Sequence, residues 1–180
     1  MRINYTTYDT RRSQDTINPS TPHRNIMVLN GSYNDHRNSE ASHPFYYAQV
    51  LGIYHANIVY TGLGMVDYQP RRMEFLWIRW YQHAELMQSG WDTHRLDRIQ
   101  FPPLAAEDAF GFIDPLDAVR ACHIIPAFAS GKLHIDGRGL SHCAQDRSDW
   151  VSYYVNRYGQ CHPHITPSDH FTDLLTVTCS

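Results

Sequence analysis

Two long runs of β-branched and aromatic residues dominate the hydrophobic pattern of this chain. They span 46–60 and 72–81 and flank a glycine-containing turn at 61–64. The first run has no polar stripe at helical spacing, and both runs predict β-strands. Gly52 lies inside the first run and predicts a bulge or bend of the kind that tightly curved barrels need. The second run has apolar residues on both faces, which predicts a strand buried on both sides or covered on one side by a loop.

Shorter apolar runs complete a mostly β pattern. Four further strands are predicted at 26–29, 96–101, 121–125 and 150–157. Asp114 begins one short helix, because its side chain can cap the first turn and Pro115 suits the first helical position. The predicted organisation is a flexible N-terminal segment at 1–24, a β-barrel domain at 25–158 and an irregular C-terminal tail at 159–180. The predicted fold class is mostly β, a small barrel with one short helix and disordered polar tails.

Composition predicts a folded intracellular protein without a general affinity for polyanions. Hydrophobic residues make up 42% of the chain and aromatic residues 13%, which argues against wholesale disorder. The formal net charge of −3 gives no global attraction to nucleic acid or to an anionic membrane. No run approaches the roughly 20 apolar residues of a membrane span. Because the N-terminus lacks the apolar core of a secretory signal, the cysteines are interpreted as reduced thiols.

Residue types used in catalysis are present, but their spacing does not group them. Cys122 and His123 are neighbours in a predicted strand, so they point to opposite faces and cannot pair. A metal- or cysteine-dependent hydrolase that uses Cys122 or His55 stays as an alternative. Zinc needs four converging ligands, and the candidates are His142, Cys143, Cys161 and His164. We predict neither an enzyme nor a bound cofactor or metal.

The aromatic strands also suggest a recognition surface. Their rings could form a methyl-lysine cage or a base-stacking platform with arginines nearby. The interaction candidates are Arg71, Arg72, Arg79, Trp77, Trp80, Tyr81, Tyr153 and Tyr154. Aromatic residues at a period of two on paired strands also build barrel cores, and this interpretation is favoured for the rings. The arginines at and beside the second long strand then remain as contact candidates.

Five motifs carry a resemblance to a known family. They are HPFYYAQVLGIYHANI, RRMEFLWIRWY, RLDRIQFPP, AFGFIDPLDAVRACHIIPAFASG and DWVSYYVNRY, in that order within residues 25–158. Together they resemble an uncharacterised domain of mushroom-forming fungi that lies beside transposases of the Plavaka and Kyakuja-Dileera-Zisupton types. The chain departs from this family after residue 159, where the polar helical stretch of the family is missing.

The order of strands is also similar to the accessory domain of plant CACTA-type transposon proteins. More distantly it looks like bromo-adjacent-homology (BAH) domains, which are SH3-like chromatin-binding β-barrels. The resemblance implies a non-enzymatic accessory domain of a transposable-element-derived fungal protein, located in the nucleus. It implies a protein or chromatin partner, and a weak nucleic-acid-binding barrel is the alternative. No membrane association is expected.

Overall fold

Antiparallel β-structure dominates the fold, as the sequence pattern predicts. The computed structural model describes residues 1–6, 12–31, 43–64, 68–84 and 96–156, and the backbone of 176–178. The strands are β1 Arg2–Thr6, β2 Arg12–Thr16, β3 Asn25–Leu29, β4 Phe45–Ile58, β5 Arg71–His83, β6 Asp97–Gln100, β7 Phe110–Ile113, β8 Ala118–Ala121, β9 His123–Pro126, β10 Tyr153–Asn156 and β11 Thr176–Thr178. Short 3-10 helices occupy Pro115–Asp117, Phe128–Ser130 and Asp146–Ser148. The mostly β fold class is therefore confirmed.

The strands form two sheets. A three-stranded sheet has the order β11-β1-β2, and a larger sheet follows the path β8-β3-β4-β5-β6-β10-β9, with β7 paired to β5 beside this path. The sheets are not closed into a barrel, so the predicted barrel is not confirmed. The two ends of the large sheet, β8 and β9, are consecutive in the chain and are separated by Cys122 alone. One extended segment therefore pairs with β3 through its first half and with β10 through its second half.

Both faces of the large sheet are buried at its centre. One core cluster contains Ile26, Val28, Ala48, Val50, Leu76, Ile78 and Ala118, together with Ile3 and Ile17 from the N-terminal segment. The other contains Met27, Tyr47, Tyr81, Ile99, Val119, Cys122, Tyr153 and Val155. Leu76 and Ile78 of β5 thus point into the first cluster and Tyr81 into the second. This confirms burial of the second long strand on both sides over its second half.

Local features of the long strands agree with the sequence. The register between β4 and β5 shifts between Val50 and Gly52, which places a bulge beside the predicted glycine. The predicted short helix is the 3-10 turn Pro115–Asp117, and the side chain of Asp114 accepts a hydrogen bond from the amide of Leu116 at 2.8 Å. Extra residues at a bulge bend a strand and increase its twist, which suits a sheet that must curl round a small core.

The prediction of a flexible segment over 1–24 is wrong for the part of it that the structure describes. Residues 2–6 and 12–16 are paired strands, and Ile3 and Ile17 are almost fully buried. The amide of Ile17 donates to the carbonyl of Met1 at 2.8 Å. The sequence pattern missed these strands because most of their side chains are polar. The few side chains that they bury pack against residues far away in the sequence. The irregular tail is also corrected at 176–178, which pair with β1, while 157–175 lie outside the described residues.

Candidate interaction surfaces

Arg79 was predicted as a contact residue, and the structure corrects this. It is only 1% exposed. Its Nη1 lies 2.7 Å from Oδ2 of Asp149, and its guanidinium carbon lies 3.7 Å from the centre of the Phe101 ring. A buried arginine that is paired and stacked in this way is committed to the core. Arg79 therefore cannot contact a partner unless the loop that carries Asp149 moves away.

Two of the predicted aromatic contacts are also core residues. Tyr81 and Tyr153 are each 7% exposed and meet edge to face, with 5.7 Å between ring centroids. Tyr81 also stacks on Phe101 at 4.1 Å. Burial raises the pKa of Tyr81 well above its ordinary value, and burial likewise raises that of Tyr153. These rings build the second core cluster, in agreement with the interpretation favoured from the sequence.

The remaining candidates lie nearer the surface. Arg71 and Arg72 are exposed at the start of β5, and Nη2 of Arg72 lies 2.9 Å from Oε1 of Glu74. Tyr154 is 37% exposed on β10. Trp80 is half-buried and packs against the first core cluster. The structure therefore does not bring the predicted residues together into one cage or one stacking platform.

Trp77 belongs to a continuous apolar surface that sequence analysis did not identify. Cross-strand partners in β4, β5 and β7 place eight apolar side chains on one sheet face. We call this set the open apolar face; its members are Tyr54, Ala56, Ile58, Met73, Phe75, Trp77, Phe110 and Phe112. Tyr54 and Phe75 stack with 5.8 Å between centroids, and Phe75 meets Phe112 edge to face at 5.6 Å. The rings therefore form one connected patch.

Four of the eight members of the open apolar face are exposed, and the other four are half-buried. Tyr54 is 47% exposed, Met73 53% and Phe112 68%. The opposite face of the same hairpin is polar at its end, where His55 and Asn57 alternate with these residues. The largest contiguous apolar patch on a monomeric protein is often functional, which makes the apolar side of this hairpin a candidate interaction site.

A cleft of about 440 Å³ lies between residues 19–25 and strand β9. Asn25 and Gln49 line the cleft and pair in register on neighbouring strands, and Gln49 pairs in turn with the buried Arg79. The hydroxyl of Tyr81 donates to Oδ1 of Asn25 at 3.1 Å. Polar residues in the middle of a sheet need partners, and here the hydrogen bonds of Gln49 are incomplete. Among the described residues nothing accepts a hydrogen bond from its Nε2.

The loop at 144–150 forms a wall of the cleft and contributes the carboxyl group of Asp149 to its lining. Asp149 is 4% exposed, and burial raises the pKa of its carboxyl even though Arg79 opposes this shift. Asp146 supports the loop from within. Burial acts to raise the pKa of that carboxyl, but the amides of Leu140 and Ser141 donate to it and hold the pKa below its ordinary value. The loop therefore buries two carboxylates.

Gln49 and Asp149 were missed as site residues. Gln49 is the one strongly polar residue in the apolar run YYAQVLGIY, and that interruption was the available signal. Asp149 carried no signal of its own, because its role depends on Arg79, which is 70 positions away.

The hydrolase and metal alternatives gain no support from the described geometry. Cys122 is a buried member of the second core cluster, and neither Cys122 nor His55 lines the cleft. Cys143 is exposed, whereas Cys161 and His164 lie outside the described residues. Within the part of the chain that is described, no three His, Cys, Asp or Glu residues are placed to hold a metal ion.

Comparisons with known proteins do not assign the chain to a family. No family model matches it, and neither a curated protein nor a solved structure does so. No helix in the described ranges is long and apolar enough to cross a membrane. Proposals about function therefore depend on the surfaces themselves.

Proposed function

We propose that this chain is a non-enzymatic protein-interaction module that binds its partner through the open apolar face. The exposure of Tyr54, Met73 and Phe112 on one connected patch is the observation that carries the proposal. In line with the family its motifs resemble, we propose that the module is an accessory domain of a transposable-element-derived fungal protein and acts on a nuclear protein or chromatin partner.

The size of the patch favours a different protein over a second copy of this chain. Four members, Tyr54, Ile58, Met73 and Phe112, are between 43% and 68% exposed. Large side chains with such exposure offer roughly 100 Å² each, so together they present about 400 Å². A standard interface buries about 800 Å² on each partner, and obligate dimers bury more and are more apolar. A patch of this size therefore suits the apolar centre of a non-obligate interface with a polar rim.

Nucleic acid binding receives less support. The burial of Arg79, Tyr81 and Tyr153 removes three members from any stacking platform. Arg72 lies in an ion pair with Glu74, and the whole chain carries a formal net charge of −3. Affinity that falls steeply with salt concentration would favour nucleic acid nevertheless.

The test uses matched charge insertions on the two faces of one hairpin. The variant Met73→Asp/Phe112→Asp places carboxylates in the open apolar face, and the control His55→Asp/Asn57→Asp places them on the opposite face. Both pairs start from exposed or half-exposed positions, so the free energy of unfolding should change little in either.

The readout has two stages. Sedimentation of the purified chain comes first and should show a monomer. A dimer that Met73→Asp/Phe112→Asp dissociates would replace the proposal by self-association. Proteins captured from nuclear extract are then purified and tested singly against all three forms. We expect one purified partner to bind the wild type and the control but not the apolar-face variant. Equal binding by all three forms would refute the proposal.

A further inference from the structure

Strand β7 has a neighbouring strand on one side only. It pairs with β5 and, among the described strands, with no other. The amide of Trp80 donates to the carbonyl of Ala109 at 3.0 Å. Since bonded and non-bonded pairs alternate along an antiparallel ladder, Gly111, two positions further on, also turns its backbone groups toward β5. Phe110 and Phe112 therefore turn their N–H and C=O groups away from β5.

These outward backbone groups form a free edge. Phe110 and Phe112 together offer two N–H and two C=O groups there. No hydrogen bond joins any of them to another described residue. A row of unpaired backbone groups on an edge strand is a template for a further strand. Many recognition modules bind an extended segment of their partner in this way.

The free edge of β7 continues directly into the open apolar face. Phe112 is 68% exposed, and its ring contacts that of Phe75. The ring of Phe110 lies beside that of Trp77, with 6.3 Å between centroids. Residues directly opposite each other in an antiparallel pair project their side chains to the same face. Two alternate residues of an added strand would therefore lie beside Phe110 and Phe112 on the open apolar face, where apolar side chains fit.

The charges around β7 favour a basic segment. Glu107 and Asp108 precede the strand, Asp114 and Asp117 follow it, and all four are exposed. Residues 99–119 contain neither lysine nor arginine. Basic side chains at both ends of an added strand would be attracted to these carboxylates. A nucleic acid backbone would be repelled by them.

A second copy of the chain fits this edge less well. Two β7 strands paired antiparallel would be related by a twofold axis perpendicular to the sheet. Both open apolar faces would then lie on the same side of the joined sheet, so the exposed apolar patch would grow instead of being covered. The acidic start of each β7 would also meet the acidic end of the other, and like charges opposite each other destabilise a strand pair.

We propose that β7 accepts an extended segment of another protein as an additional antiparallel strand. The segment carries apolar residues at two alternate positions and a basic residue beyond each end of this pair. Antiparallel pairing is the more stable kind per residue, and both neighbouring pairs, β4 with β5 and β5 with β7, are antiparallel. This inference rests on the function proposed above, because the rest of the same partner covers the open apolar face.

The probe is a fluorescent heptapeptide with two valines at alternate positions, threonines around them and a lysine at each end. Its affinity for the purified full chain is measured by anisotropy. N-methylation of both valine amides removes the donors to the carbonyls of Phe110 and Phe112 and should weaken binding roughly tenfold or more. N-methylation of two threonine amides, which point away from β7, should leave affinity nearly unchanged. Glutamates in place of the lysines should weaken binding, and salt should reduce this difference.

Two protein variants test the same edge from the other side. Phe112→Ala removes the ring but keeps the outward N–H, whereas Phe112→Pro removes both. Proline is tolerated in an edge strand where its nitrogen faces solvent. The heptapeptide should bind Phe112→Pro roughly tenfold more weakly than Phe112→Ala. The N-methylated peptides need no variant of the protein, so they decide the question even if Phe112→Pro does not fold.

Several results would overturn the added strand. One is no binding of the heptapeptide, and another is equal affinity of its two N-methylated forms. A glutamate-flanked peptide that binds equally well would overturn the basic flanks. A dimer in sedimentation that Phe112→Pro dissociates and Phe112→Ala does not would assign the edge to a second copy.

Failure of the added strand is distinguishable from failure of the function proposed above. A purified partner that is lost in Met73→Asp/Phe112→Asp, but binds Phe112→Pro and Phe112→Ala equally, would keep the open apolar face as the binding surface and overturn only the added strand. A partner that binds Met73→Asp/Phe112→Asp as well as the wild type would refute the proposed function itself.

Discussion

The buried pair of Arg79 and Asp149 makes a quantitative prediction about stability. The two atoms in contact are 2.7 Å apart, and the side chains are 2% and 5% exposed. In Arg79→Met the carboxylate stays buried without its cation, and breaking such a pair typically costs about 3–5 kcal/mol. We expect Arg79→Met to lower the free energy of unfolding by about this amount. For a chain of this size, each 1 kcal/mol lowers Tm by about 2–4 °C.

Urea denaturation followed by circular dichroism measures the change. The matched control is Arg72→Met, because Arg72 and Glu74 form a similar pair at 2.9 Å while remaining 57% and 31% exposed. Exposed pairs contribute about 0–1 kcal/mol, so Arg72→Met should shift the midpoint only slightly. The double variant Arg79→Met/Asp149→Leu replaces both charges with apolar groups and should recover much of the loss.

The cost of Arg79→Met should also depend on pH. Burial raises the pKa of Asp149 above its ordinary value, and Arg79 counteracts part of that shift. Without Arg79 the folded-state pKa rises further, while the unfolded value stays at about 3.9. Between the two values the folded state binds more protons than the unfolded state, so stability falls as pH rises. The deficit of the variant relative to wild type should therefore be largest at neutral pH and should shrink as the pH falls through the folded-state pKa.

Two results would refute this reasoning. One is a loss of stability in Arg79→Met no larger than that in Arg72→Met, which would mean that burial does not increase the cost of breaking the ion pair. The other is a deficit that stays constant or grows on acidification, which would mean that the uncompensated carboxylate of Asp149 is not its cause.

Three further predictions concern other parts of the chain. Ile3→Ala should lower the free energy of unfolding by about 2–5 kcal/mol in urea denaturation, because Ile3 is fully buried. An unchanged free energy of unfolding would support the original prediction of a flexible N-terminal segment. Gly139→Ala should lower thermal stability by about 1–3 kcal/mol, because a Cβ there would lie 2.8 Å from a backbone nitrogen, whereas Gly31→Ala has open space and should be neutral. Peptide mapping after alkylation should find Cys143 modified rapidly and Cys122 only on unfolding, since Cys143 is exposed and Cys122 is buried; equal rates would contradict the placement of Cys122 in the core.

The strands that could be predicted are those whose residues pack on both faces. β4 and β5 are dominated by β-branched and aromatic residues, so their type follows from composition and period alone. Gly52 marked the bulge because a glycine inside a strand pattern is itself a local signal for one. β1 and β2 escaped prediction because most of their side chains are polar. Their formation depends on Ile3 and Ile17 reaching a core built mainly by later strands, and such tertiary contacts leave little local signal.

The interaction surfaces were harder to predict than the strands. Arg79 and Trp77 occupy the same face of β5 and were assigned the same role from sequence, yet one is buried and the other lies in the open apolar face. The difference comes from Asp149 and Phe101, which cover only the second half of that strand. No single-sequence pattern specifies which half of a strand a distant loop will cover.

This division of one strand face separates the cleft beside Gln49 physically from the open apolar face. Loop 144–150 is held over β5 by the pair of Arg79 with Asp149, and the cleft beside Gln49 is partly built by that loop. The open apolar face depends instead on ring contacts among Tyr54, Phe75 and Phe112, to which the loop contributes nothing. Loosening the loop with Arg79→Met at a urea concentration where the protein stays folded should therefore speed amide hydrogen exchange in residues 144–150. Partner binding at the open apolar face should be unaffected. Loss of partner binding in this variant would mean that the two halves of β5 act as one cooperative surface.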